Sequence, residues 1–301
     1  MVETPPVFHE LRHRLPDGRS LAGSCVGQPD AEDVLLCLPG LLETRHSFDA
    51  VLQAASSHPG LRVVVLDHAG RGDASPLPGD HGYGMSVYLD DVRQFITTEL
   101  LRQRSRRLHL LGTSMGGLLG LYLAADASLP VRTLILNDVG LSFYWVSLYG
   151  LYDGMKQGIA PTTPEALAAQ LGVTPGVLRA VQSPHHFDVP FRKDWKGMRF
   201  AHLLQHYTGA VRLVHGSASG VCLDAQVQEL RQQVASARVL TVEGAGHPVP
   251  FTPAVCEFVL ADLTAVTPSE AAPALVPLIV PTPVAEAPPR GWWRWLRDKF
   301  R

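Results

Sequence analysis

The rhythm of hydrophobic and polar positions changes several times along the chain. Residues 7–15 alternate apolar and polar character (Val7, His9, Leu11, His13), and Pro16-Asp17-Gly18 then turns the chain into a second strand over 19–26. That pattern predicts an antiparallel hairpin. From Val34 onward the runs become short and continuously apolar: Val34–Leu38, Val63–Leu66, Leu108–Leu111, Thr133–Leu136, Val211–Val214 and Arg238–Val242. Such runs suit strands buried on both faces of a parallel sheet. Helical periodicity fills the gaps near 47–57, 84–104, 115–126, 224–235 and 252–263. Strand–helix alternation behind a leading hairpin predicts an α/β fold with a doubly wound, mostly parallel sheet.

The gap between Thr133–Leu136 and Val211–Val214 is too long for a plain crossover, so a helical cap or lid is expected over 140–208. The core is then built from 1–139 and 209–263. From Thr264 the composition turns to Pro and Ala, which predicts an extended linker over 264–290. The tail 291–301 is different again: Trp292, Trp293, Trp295, Leu296 and Phe300 interleave with Arg294, Arg297, Lys299 and Arg301. That composition suits peripheral contact with an anionic or hydrophobic surface, and equally a disordered or self-docking tail.

The bulk numbers narrow the class. A chain of 301 residues, 46% apolar and with a formal charge of −2, can bury one large α/β core and gives no reason to expect a nucleic-acid partner. Residues Met1 to Pro6 lack the basic and apolar regions of a secretory signal. No apolar stretch reaches the ~20 residues of a membrane span. Cys25, Cys37, Cys222 and Cys256 form no C-x-x-C pair. The expectation is a reduced, cytoplasmic protein of unassigned oligomeric state.

The candidate chemistry centres on Ser114, in Gly112-Thr113-Ser114-Met115-Gly116-Gly117 directly after the run Leu108–Leu111. This is G-x-S-x-G where a strand should hand over to a helix. The glycines let the helix pack back over the strand, and the turn aims both the hydroxyl and the first helical N–H groups at one point. A serine hydroxyl needs a base close to pKa 7, and of the 13 histidines only His247 follows a strand within a Gly-x-Gly loop (Gly244-Ala245-Gly246).

With these landmarks the chain resembles the serine hydrolases of the α/β-hydrolase fold, over about residues 7–263. Leu38-Pro39-Gly40-Leu41-Leu42 lies where relatives carry the oxyanion loop, and Asp67-His68-Ala69-Gly70-Arg71-Gly72-Asp73-Ala74-Ser75 resembles their D-x-x-G-x-G-x-S segment. The resemblance implies an oxyanion hole from the backbone N–H groups of Met115 and Leu41. It also implies an acid just after strand Val211–Val214, where this chain has Gly220. Asp138, after the preceding strand, is the favoured replacement. Asp224 and a Ser–His pair without a carboxylate stay open.

Other residues carry less. Asp67 and Arg71 are expected to shape the loop beside the site. His202 and His206, four apart, could grip a metal from one helix face, but no third ligand is placed and surface histidines are the expectation. No metal and no cofactor is expected. Tyr144, Trp145 and Tyr149 belong to an aromatic cluster that suits either core packing or an apolar substrate wall. The expected function is acyl transfer from a small-molecule ester, lactone or thioester with an apolar acyl part. The alternatives are a C–C bond hydrolase of the same fold and an inactive binding or scaffold protein.

Overall fold

A computed structural model of the chain describes residues 8–79, 82–102, 106–147, 150, 163–182, 184–188, 196–264 and 282–284. Tyr149 and the tail Trp292–Arg301 lie outside the described residues. The main sheet has eight strands: β1 (His9–Arg14), β2 (Ser20–Val26), β3 (Asp33–Leu38), β4 (Leu61–Leu66), β5 (Arg107–Thr113), β6 (Val131–Asn137), β9 (Ala210–Gly216) and β10 (Arg238–Val242). Their spatial order is β1-β2-β4-β3-β5-β6-β9-β10. The β1–β2 and β2–β4 pairs are antiparallel, and from β4 to β10 all neighbours are parallel.

The continuous apolar runs follow from burial on both faces. In β3, Val34, Leu36 and Leu38 enter one hydrophobic cluster while Leu35 and Cys37 enter the other. Strand β4 divides in the same way, Val64 and Leu66 against Val63 and Val65. On the first face lie α2 (Met85–Thr98), α3 (Met115–Ala125) and α6 (Asp224–Gln233); on the second, α1 (Asp49–Ala55) packs with α7 (Pro253–Leu260). Each fully buried Leu or Val contributes roughly 1.5–3 kcal/mol, so these two layers dominate the stability. Among the described residues strand β1 pairs with β2 alone and keeps an alternating exposure, with Leu11 and His13 turned inward.

Within 140–208 the described residues form short helices and, in addition, short strands. Helices α4 (Pro164–Gln170) and α5 (Pro175–Ala180) both start at a Thr-Pro pair. Thr163 and Thr174 accept the N–H groups of Ala166 and Val177, and proline occupies the first turn, where its missing N–H costs nothing. Strand β7 (Ser142–Tyr144) pairs with β8 (Gly197–Arg199), which pairs in turn with β11 (Thr282–Val284), all antiparallel. Three-residue strands are too short to leave an alternating signature in sequence. His202 lies in a single 3-10 turn, Ala201–Leu204, and not on an α-helix shared with His206. Among the described residues no helix is long and apolar enough to cross a membrane.

Candidate active site

Strand β5 ends at Thr113 and α3 begins at Met115, so a single residue makes the turn. That residue, Ser114, has φ 51° and ψ −116°, a conformation that costs a non-glycine residue about 1–3 kcal/mol. The turn is possible because its neighbours lack side chains. A Cβ on Gly116 would lie 2.0 Å from the carbonyl oxygen of Leu38, and one on Gly112 would lie 2.2 Å from that of Gly116. Ser114 N–H donates to Asn137 on β6 at 3.1 Å, which ties the turn to the neighbouring strand.

The Oγ of Ser114 is 3.0 Å from Nε2 of His247, and Nδ1 of the same ring is 2.8 Å from Oδ2 of Asp138. Asp138 is fully buried just beyond β6, at φ 57°, a left-handed conformation that aspartate tolerates better than most residues. Its Oδ1 accepts Gly216 N–H at 3.0 Å and its Oδ2 accepts the Ser219 hydroxyl at 2.6 Å. Burial alone would raise this carboxyl. The nearby rings of His215 and His247, together with Gly216 N–H, outweigh burial and hold it below its ordinary value. Asn137 braces the arrangement by donating to Thr113 and to the carbonyl of Val249, two residues beyond His247.

Asp224 stands elsewhere. It is the first residue of α6, exposed, and 3.2 Å from Nε2 of His215. The structure therefore brings Ser114, His247 and Asp138 together and places Asp224 on a different histidine.

Two groups fix the loop that follows β3. The Arg71 guanidinium, fully buried, donates to Leu41 carbonyl through Nε at 3.1 Å and Nη2 at 2.7 Å, and lies 4.6 Å over the Tyr88 ring. Three residues along the same stretch, the Glu43 carboxylate accepts Gly40 N–H at 2.7 Å. Burial pushes the Glu43 carboxyl up, against the opposing pull of Gly40 N–H and His247. Asp67 accepts from Arg45 backbone N–H and from its guanidinium, and so shapes the same region.

Met115 Sδ contacts His186 at 3.5 Å, and His186 stacks edge-on against Phe187. Phe187 in turn packs on Phe143 and Trp145, so Trp145 is buried inside an aromatic cluster, whereas Tyr144 is half-buried. Among the described residues, Asp138, His215 and Cys222 bring ligand-type atoms within 4.8 Å of one another. Both Asp138 oxygens already accept hydrogen bonds there, so the carboxylate is engaged in the chain to His247.

His215 and Glu43 carry no periodic or motif signal. His215 could have been noticed only as a histidine at the end of a buried strand, beside the strand that ends in Asp138.

The comparisons agree with this architecture. The α/β-hydrolase fold family matches residues 33–171. A 3-hydroxybutyrate-oligomer hydrolase of Cupriavidus necator is 30% identical over 265 residues, covering 75% of this chain and 86% of that protein. Among solved structures, a putative hydrolase from Rickettsia typhi superposes with TM-score 0.67 at 17% identity, covering 87% of this chain and 100% of its own. An E-2-(acetamidomethylene)succinate hydrolase does so with TM-score 0.64 at 17% identity, over 85% and 99% of the two chains. The fold and these relatives define a hydrolase. The chain belongs to the α/β-hydrolase family.

Proposed function

We propose that the protein is a serine hydrolase that cleaves carboxylic esters by acyl transfer, and that short oligoesters of 3-hydroxy acids are its substrate class. The observation that carries the mechanism is the unbroken contact chain Ser114 Oγ to His247 Nε2 at 3.0 Å and His247 Nδ1 to Asp138 Oδ2 at 2.8 Å. Similarity to the 3-hydroxybutyrate-oligomer hydrolase over 86% of that protein supports the substrate class.

In this mechanism His247 takes the Ser114 proton as Oγ attacks the ester carbonyl. Asp138 holds the ring with Nδ1–H towards itself and balances the imidazolium that forms. The N–H groups of Met115 and Leu41 receive the developing oxyanion at the positive end of α3. His247 then returns its proton to the leaving alcohol oxygen. Water, deprotonated by the same ring, releases the hydroxy acid and restores Ser114. Asp138 supplies the carboxylate that Gly220 does not, which favours turnover over an inactive scaffold.

Labelling with a fluorophosphonate probe tests the nucleophile: modification mapped to Ser114 and lost in Ser114→Ala is expected. Release of free acid from 3-hydroxybutyrate dimer and trimer, against aryl esters of graded acyl length, tests the substrate class. Absent labelling of the folded protein overturns the mechanism; aryl-ester turnover without oligoester turnover overturns only the substrate class.

A further inference from the structure

The contact chain does not stop at Asp138. His215, at the end of β9, is buried with Nε2 3.2 Å from Oδ1 of Asp224 and Nδ1 3.8 Å from Oδ1 of Asp138. A neutral imidazole carries one N–H and one bare lone pair. With the proton on Nε2, the lone pair faces Asp138; with the proton on Nδ1, it faces Asp224. Only the doubly protonated ring presents an N–H to both carboxylates. Among the described residues Nδ1 has no hydrogen-bond partner, and a buried nitrogen in that state calls for a physical reason.

We propose that His215 is a positioning residue of the hydrolytic centre, held as an imidazolium between Asp224 and Asp138, whose charge limits how firmly Asp138 keeps a proton on His247. This rests on Ser114, His247 and Asp138 acting as the triad. Asp138 is then a carboxylate shared by two rings, and what it gives to one it withholds from the other.

Among the described residues, the titratable groups facing His215 are Asp138 from the end of β6, Asp224 from the start of α6 and Cys222 from the loop between β9 and α6. The residue opposite on β10 is Thr241, which is uncharged. Asp138 pushes the ring above the ordinary histidine value, burial opposes, and Asp224 adds to the rise. Burial and the two carboxylates push the Cys222 thiol well up, so it stays neutral beside them. Asp224 also sits where a helix N-terminus favours negative charge.

Without the His215 charge, Asp138 stabilises protonated His247 more strongly, so the base stays occupied to higher pH. The acidic limb of the kcat/KM profile should move up by about half a unit to one unit in His215→Gln, and in the same direction but less in Asp224→Asn. Asp224 is exposed, so Asp224→Asn keeps the fold even if His215→Gln does not. Nitrogen-15 NMR of the imidazoles in Ser114→Ala reads the ring without any turnover. Both His215 nitrogens should be protonated at pH 7, and Asp224→Asn should lower the pH at which one proton leaves. A neutral His215 ring at pH 7 overturns the proposal, as does an unmoved acidic limb in an Asp224→Asn enzyme whose ring has lost its proton. Failure of the triad itself is read separately, as retained turnover in Ser114→Ala.

Discussion

His247 and Asp138 are 109 positions apart in the chain, and their side chains meet at 2.8 Å between Nδ1 and Oδ2. The carboxylate reaches the ring from the end of β6, one strand nearer the elbow than β9. A carboxylate that fixes the tautomer and balances the imidazolium loses most of its effect as an amide. Asp138→Asn should therefore lower kcat on the order of 10³-fold or more, while Asp224→Asn at neutral pH stays within about tenfold. Steady-state kinetics on one ester decides it; the reverse ranking would move the acid to α6.

Ser114 and His247 act as a unit with that carboxylate, so Ser114→Ala and His247→Ala should each cost on the order of 10³-fold in kcat. Circular dichroism of both variants should match the parent. A variant that keeps near-parental turnover removes its residue from the mechanism.

Arg71 offers a test of the loop. A lysine cannot reproduce the two bonds that converge from one guanidinium on the Leu41 carbonyl oxygen, at 3.1 and 2.7 Å. Arg71→Lys should lower kcat on the order of tenfold with a smaller change in KM, because a donor aimed at the oxyanion works mainly in the transition state. The lost bonds from a charged donor to this half-buried residue also cost stability, which a thermal melt will register. Unchanged kcat in a folded variant would show that the loop holds its shape unaided.

Acid should destabilise the fold through two histidines outside the contact chain. Burial, reinforced by the Arg71 charge, lowers His68 and His186 from 6.5 to about 3. Their neutral rings donate to Pro39 and Tyr83 carbonyls. Unfolding lets both rings take a proton at the ordinary histidine value, so the stability they give is complete above about 6.5 and drains away as pH falls towards 3. The slope is at most about 1.4 kcal/mol per pH unit for each ring. Urea midpoints between pH 7 and pH 4 measure it, and a flat series would mean that the rings are charged in the fold.

The parts of the site readable from sequence are those whose geometry is local. The elbow shows itself because Gly112 and Gly116 must be bare for Ser114 to turn, and His247 because its loop is glycine-rich. The strands show themselves because burial on both faces leaves Val34–Leu38 of β3 and Val63–Leu66 of β4 without a polar position. The acid stayed ambiguous for a tertiary reason. Strands β6 and β9 are neighbours, so Asp138 and Asp224 both lie near the ends of adjacent strands, and only side-chain placement separates them. Arg71 reaches the Leu41 carbonyl from 30 positions further along the chain, a relation that no spacing encodes.

The backbone of Ser114 has a consequence beyond chemistry. At φ 51° and ψ −116° the position belongs by conformation to glycine, and the chain holds a serine there. Ser114→Gly should melt above the parent and hydrolyse nothing. Any library screened for heat resistance alone will drift towards that inert form. A search for a hardier catalyst from this scaffold has to select on turnover at every round, since at this residue durability and purpose are opposed.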